Sequence, residues 1–235
     1  MIDHSFGNST VTKEERERKI RRVFKAVAPR YDLMNDLMSM GIHRLWKKKM
    51  ARLAGNIPGG LALDLACGTG DVGKLLAKSG GSVMLCDPSL EMMQNAKNCE
   101  NILKIAAPAE SLPFADNSFD LITIAFGIRN VTSLNAALAE IFRVLKPGGR
   151  LICLEFSQPL ALLRPFYDIF SFLVIPRLGA WVARNPEAYE YLVESIRKFP
   201  NQEEFKGIIE NIGFKNVVYH NLSFGIAAIH IGFKP

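Results

Sequence analysis

The sequence predicts an α/β fold: a doubly wound, mostly parallel sheet that finishes in an antiparallel pair. Three observations carry this. From Leu61 to Phe156, apolar runs of strand length alternate with helical patterns, the arrangement that builds right-handed crossovers. One of those runs, "DLITIAF" (Asp120–Phe126), is continuous and apolar, as a central parallel strand buried on both faces should be. Near the end, Lys215–Leu222 and Ile226–Phe233 are separated only by "SFG", a three-residue hairpin connection.

The elements follow in order. Lys13–Arg52 reads as helical, broken near Pro29 and again around Gly41. Leu61–Cys67 is a buried strand and Gly70–Ser79 a helix. Val83–Asp87 is the second strand; Ser89–Asn98 is a helix that Ser89 is placed to cap. Leu103–Ala107 and Asp120–Phe126 are the third and fourth strands. Thr132–Leu145 sets Leu134, Leu138, Ile141, Phe142 and Leu145 on one helical face. "KPGG" (Lys146–Gly149) then stops that helix, because proline cannot continue it and glycine allows positive φ. Arg150–Phe156 is the fifth strand. Ser157–Pro200 has no strand signal and is rich in aromatic residues; it is expected to form two or three helices over the sheet edge.

Composition narrows the class. The chain has 235 residues, 49% hydrophobic and 22% charged, with a formal net charge of +6. That suits one soluble α/β domain with an appended lid. Much of the positive charge sits in Lys13–Arg22 and Arg44–Lys49. Such runs are either solvated helix faces or a match for an anionic surface, phospholipid head groups or RNA. The 4 cysteines show no C-x-x-C pair and no zinc spacing, so reduced thiols in a cytosolic protein and no metal are expected. No signal peptide is expected from the polar N-terminus. Leu160–Ala183 is apolar but interrupted by Arg164, Asp168, Arg177 and two prolines, which argues against a transmembrane helix.

The chemistry centres on "LDLACGTGDVGKLL" (Leu63–Leu76), where Gly68-x-Gly70-x-x-Gly73 follows a strand and opens a helix. The spacing fits a NAD pyrophosphate loop, and equally a loop that holds S-adenosylmethionine (SAM). Asp64 at the strand end is expected to face the ligand; there it repels a pyrophosphate and attracts a methionine ammonium. Asp87, ending the second strand, accepts from ribose hydroxyls in either case. Asp64, the "LKPGG" stop and the terminal hairpin favour SAM.

The sheet region resembles the class I SAM-dependent methyltransferases, which implies a seven-stranded Rossmann-like sheet. More narrowly, "APRYDLMNDLMSMGIHRLWK" (Ala28–Lys47), "DLACGTGD" (Asp64–Asp71), "FGIRNV" (Phe126–Val131), "RVLKPGGRLICLEFSQP" (Arg143–Pro159) and "YLVESIRKFP" (Tyr191–Pro200) resemble the menaquinone/ubiquinone biosynthesis C-methyltransferase family. The resemblance runs from about residue 20 to the C-terminus. It implies SAM as cofactor, with Asp64, Gly68, Thr69, Gly70, Asp87, Pro108, Ala109 and Ala125 around it: Thr69 at the methionine end, Asp87 on the ribose, Pro108 and Ala109 beside the adenine. Pro108 stands where the family usually has Asp or Asn, and Ala125 where Ser is common. The closing "SFGIAAIHIGF" departs from the family's more usual glycines and arginine.

The resemblance further implies ring-carbon methylation of a polyprenyl quinol. The acceptor is demethylmenaquinol, or alternatively the benzoquinol of ubiquinone biosynthesis. Arg129 follows the fourth strand at the carboxyl edge of the sheet and is expected to stabilise a ring oxyanion; as an alternative it bridges to Glu155. Tyr31 would place the ring, with the proton leaving through water or to Asp32 or His43. A nucleic-acid methyltransferase is disfavoured by "FGIRN" in place of an Asn/Asp-Pro-Pro-aromatic element, and by the lack of aromatic residues among Arg16, Arg18, Arg21 and Arg22. A non-catalytic SAM-binding protein leaves the specific blocks unexplained. The expected organisation is a single domain, 1–235, with an N-terminal helical segment (1–55) and a helical substrate cap (157–200). The protein is expected to be cytoplasmic and to meet the membrane peripherally. A homodimer or a quinone-biosynthesis complex stays open.

Overall fold

The computed structural model describes residues 5–6, 9–27, 35–36, 39–78, 80–96, 102–160 and 186–235. Seven strands form one sheet: Leu61–Leu65 (β1), Ser82–Cys86 (β2), Leu103–Ile105 (β3), Phe119–Ala125 (β4), Leu145–Phe156 (β5), Lys215–Leu222 (β6) and Ala227–Phe233 (β7). Their order is β3-β2-β1-β4-β5-β7-β6. Strands β1 to β5 pair in parallel, and β7 pairs antiparallel with both β5 and β6. The expected doubly wound sheet and its closing hairpin are both present.

The helices are Lys13–Val27 (α1), Ile42–Ala54 (α2), Asp71–Ala77 (α3), Leu90–Gln94 (α4), Leu134–Val144 (α5), Pro186–Lys198 (α6) and Gln202–Ile212 (α7). They cover the sheet on both faces. On one side Ile122, Ile124, Leu138, Ile141, Phe205 and Phe214 form a core under α5 and α7. On the other, Trp46, Met50, Val72, Leu76, Leu121 and Leu154 form a second core under α2 and α3. Leu121 and Ile122 are neighbours in β4 yet enter opposite cores, as the two-residue strand period requires. Each fully buried side chain of this size contributes about 1.5–3 kcal/mol, and β4 feeds both layers.

Local signals account for the boundaries. Ser89 caps α4 by accepting from the Met92 N–H, as its position predicts, and Ser133 does the same for α5 through Ala136. Asn201 and Glu204 form a reciprocal capping box at α7. "KPGG" is where the expectation needs correction. The helix does end, at Val144, but the fifth strand begins at Leu145 rather than at Arg150. Leu145 pairs with Phe119 and Arg150 with Leu121, so the residues between them are surplus and bulge out. Gly148 there has φ +77°, and a Cβ on Gly149 would lie 2.8 Å from the Lys146 carbonyl. Within Ser157–Pro200, α6 is described and residues 161–185 lie outside the described residues, as do the readings made of Arg164, Asp168 and Arg177.

Candidate active site

The strand order reverses between β1 and β4, where open α/β sheets bind ligands beyond the carboxyl ends of their strands. Both strands leave the sheet there through a left-handed residue: Ala66 has φ 50° and Phe126 φ 58°. Such conformations cost of order 1–3 kcal/mol and persist where surrounding contacts hold them. At Phe126 the holding contacts are visible. Its carbonyl accepts from Arg129 Nη1 at 2.7 Å and from Asn130 Nδ2 at 3.3 Å. A Cβ on Gly127 would sit 2.4 Å from the Ala66 Cβ, so glycine is required where these two loops meet.

Above them lies a cavity of about 310 Å³, within the usual range for small-molecule sites (about 300–1,000 Å³). Its floor is Leu65, Ala66, Gly68 and Phe126. Asp87 and Pro88 form one wall, Pro108 and Ala109 a second, and Gly127 with Asn130–Thr132 a third. Of the expected cofactor residues, Gly68, Asp87, Pro108 and Ala109 therefore line the cavity. Thr69, Gly70 and Ala125 belong to the loop and strand that carry it. The Thr69 carbonyl accepts from Lys74 Nζ at 3.2 Å, and Gly70, at φ 75°, is the N-cap of α3.

Asp64 departs from its expected orientation. It is 1% exposed, and its two carboxylate oxygens accept from the Gly73 N–H (2.8 Å) and from Thr123 Oγ1 (2.9 Å). Gly70 has no side chain to cap α3, so Asp64 reaches from β1 to satisfy one of that helix's free amides. Burial pushes its pKa up to about 7, against the pull of those two donors. Asp87 is also nearly buried, but it faces the cavity. Its oxygens accept from the Gly68 and Ser89 N–H groups at 2.9 and 2.8 Å. Burial raises its pKa, with the same two amides opposing.

Around the Gly127–Thr132 loop the side chains form a second cluster. Arg129 Nη1 binds Glu155 Oε1 at 2.7 Å inside the protein, which is the bridge raised as the alternative from sequence. The Arg129 backbone N–H meets the other Glu155 oxygen at 3.3 Å, and the guanidinium stacks over Phe156 at 5.4 Å. Trp46 of α2 packs against both Phe126 and Phe156. His43, one turn earlier, is buried, and its Nε2 lies 2.9 Å from Asp36 Oδ1. Arg44 also binds both Asp36 oxygens and holds that carboxyl down to about 2. Asp36 is thus ionised, so His43 Nε2 carries the hydrogen and donates it. Burial lowers the His43 pKa. Tyr31 and Asp32 lie outside the described residues.

A model of the ubiE/COQ5 methyltransferase family matches residues 10–234. The chain belongs to that family. It is 57% identical over 235 residues to the ubiquinone/menaquinone biosynthesis C-methyltransferase UbiE of Rubrivivax gelatinosus, covering 99% of this chain and 94% of that one. To the protein of the same name in Klebsiella pneumoniae it is 47% identical, covering 97% and 96%. Among solved structures it is similar to a SAM-dependent methyltransferase of Thermotoga maritima (TM-score 0.69, 20% identity, 92% of this chain and 100% of that one). It is also similar to a Haemonchus contortus phosphoethanolamine N-methyltransferase solved with S-adenosylhomocysteine (TM-score 0.60, 16% identity, 83% and 53%). At these identities the two structures speak for the fold.

The cofactor of this ubiE/COQ5 family member is SAM, and the cavity suits it. A carboxylate with spare lone pairs stands where hydroxyls can donate, and Pro108, Ala109 and Met92 give apolar surface to a flat base. Sequence reasoning missed part of this lining. Glu17, Ile20 and Arg21 of α1 face the cavity. Their i, i+3, i+4 spacing marks one helical face, a signal present in a run read as helical and basic but not as part of a site. Glu110 also lines the cavity; its Oε1 accepts from Thr132 Oγ1 at 2.5 Å and the Ser133 N–H at 3.3 Å.

Proposed function

We propose that this chain methylates a ring carbon of a polyprenyl quinol, with demethylmenaquinol as acceptor. The observation that carries the reading is 57% and 47% identity, over nearly the whole chain, to relatives whose name specifies C-methylation in quinone biosynthesis. Because that name spans two pathways, 2-polyprenyl-6-methoxy-1,4-benzoquinol is the second acceptor to test.

SAM supplies an electrophilic methyl group on a sulfonium. Asp87 holds the ribose hydroxyls, and the Gly68–Gly70 loop with Thr69 lies at the methionine end. Loss of a ring-hydroxyl proton makes the adjacent carbon of the acceptor nucleophilic toward the methyl group that SAM would supply, and the hydrogen on that carbon leaves to solvent as a proton, which restores the aromatic ring. With a phenol pKa of about 10 as the model, ionisation at pH 7 costs about 4 kcal/mol. Glu155 neutralises much of the Arg129 charge, so Arg129 acts on the oxyanion as a hydrogen-bond donor. In support, its buried Nε–H has no acceptor among the described residues. His43 receives the proton at Nδ1, which also lacks a partner among the described residues while Asp36 fixes Nε2–H. Tyr31 positions the ring, and Asp32 is the alternative proton acceptor.

Residues 157–200 cap the prenyl tail within the single domain 1–235, and the protein works at the membrane surface. No helix among the described residues is long and apolar enough to cross a membrane. The test is methyl transfer from SAM to each quinol, with tails of zero, one and two isoprene units. A buried methylene is worth about 0.8 kcal/mol, so efficiency should rise at each step. Transfer to neither ring refutes the reading, and a flat response to tail length refutes the cap. Arg129→Lys should lower turnover at least tenfold at pH 7, keep SAM affinity and recover at higher pH. Loss of SAM affinity in step with turnover assigns Arg129 to the Glu155 bridge alone.

A further inference from the structure

Helix α1 lies across the cofactor cavity and touches both of its banks. Arg16, 1% exposed, donates from Nη1 to the Val131 carbonyl and from Nη2 to the Arg129 carbonyl at 3.3 Å. Those carbonyls belong to the loop whose Asn130 and Val131 line the cavity. Nine residues on, roughly 13 Å along a helix, Lys25 pairs with Glu91 at 3.5 Å. Glu91 belongs to α4, which supplies Met92 to the opposite bank. Between the two attachments, Glu17, Ile20 and Arg21 face the cavity.

The two attachments are unequal. The Arg16 end is buried and makes two charge-assisted hydrogen bonds to main chain, whereas Lys25 and Glu91 are both largely exposed, and such pairs contribute little. A buried guanidinium spent on carbonyls of the Arg129 loop fixes the position of α1 relative to that loop. Ile20 and the Arg21 stem then give the cavity an apolar fourth side that β1, β2 and β4 cannot provide.

We infer that α1 is a wall of the SAM site, closing over the bound cofactor, and that Arg16 is the positioning residue that seats it. The inference rests on the cofactor site and not on the identity of the methyl acceptor. The helix carries its own probe, since Arg18, Arg21 and Arg22 are exposed trypsin sites. In the unmodified full chain, saturating S-adenosylhomocysteine should slow cleavage within α1 at least tenfold, and cleavage after Lys215 much less. By calorimetry, Arg16→Ala should weaken S-adenosylhomocysteine at least tenfold and abolish the protection. Arg16→Lys should restore part of both, and Arg18→Ala should bind as the parent does. Should Arg16→Ala fail to fold, Ile20→Asn carries the test, with an expected loss of at least fivefold. Cleavage within α1 that ignores the ligand overturns the inference, as does a folded Arg16→Ala or Ile20→Asn with parental affinity.

Discussion

Asp64 and Asp87 stand at the ends of neighbouring strands, both almost out of water, each accepting two hydrogen bonds from the protein. They differ in what lies beyond those bonds. Asp64 is enclosed between the first turn of α3 and the Thr123 hydroxyl of the next strand, while Asp87 holds two loop amides and turns to the cavity. The carboxyl edge of this sheet therefore carries buried charge of two kinds. Asp64 and Glu155 hold the frame, and Asp87 faces the cavity. Changing the first kind should cost stability, and changing the second should cost affinity.

The largest effect is expected at Glu155. Glu155→Gln leaves the Arg129 guanidinium without its buried counter-charge, a loss of about 3–5 kcal/mol. Urea unfolding checks this, and replacing both partners with Met should recover much of it. An unchanged midpoint would remove Glu155 from the frame. Next comes Asp64→Ala, which leaves the Gly73 N–H and the Thr123 hydroxyl without acceptors at roughly 1–3 kcal/mol each. Its stability should fall, while the SAM affinity of the folded fraction changes far less than in Asp87→Ala.

A smaller effect depends on pH. Burial raises the Asp64 pKa to about 7 from an unfolded value near 3.8, so the folded state prefers the protonated acid. The cost of ionising it is absent below about pH 4 and grows as pH rises through 7. Thermal melts should show Asp64→Asn gaining on the parent between pH 5 and pH 7.5. A difference constant over that window would mean that the carboxyl is not strained by burial.

Much of this edge was legible in the sequence because strands and helix stops are local. Apolar runs, the Ser89 cap and the "SFG" turn each report on their own neighbourhood. "KPGG" was harder: the residues that end a helix are also those that make a bulge, and only pairing with Phe119 distinguishes the two. Asp64 was misdirected because spacing fixes where a residue sits on a strand and not which donors reach its side chain. The α1 wall was hidden by composition, since Ile20 is a single apolar residue among charges on the cavity face. The Arg129–Glu155 pair was within reach as an alternative, because both follow from ends of adjacent parallel strands.

The division between frame and ligand charge is tested most directly by calorimetry of SAM binding to two variants, Asp87→Ala and Asp64→Asn. Losing a charge-assisted hydrogen bond costs about 1.5–3 kcal/mol, so Asp87→Ala should bind SAM at least tenfold more weakly, and its unfolding midpoint should also fall because the Gly68 and Ser89 N–H groups lose their acceptor. Asp64→Asn should bind within about threefold of the parent, a difference of roughly 0.7 kcal/mol. Parental affinity in Asp87→Ala, or a larger loss in Asp64→Asn, would contradict the account.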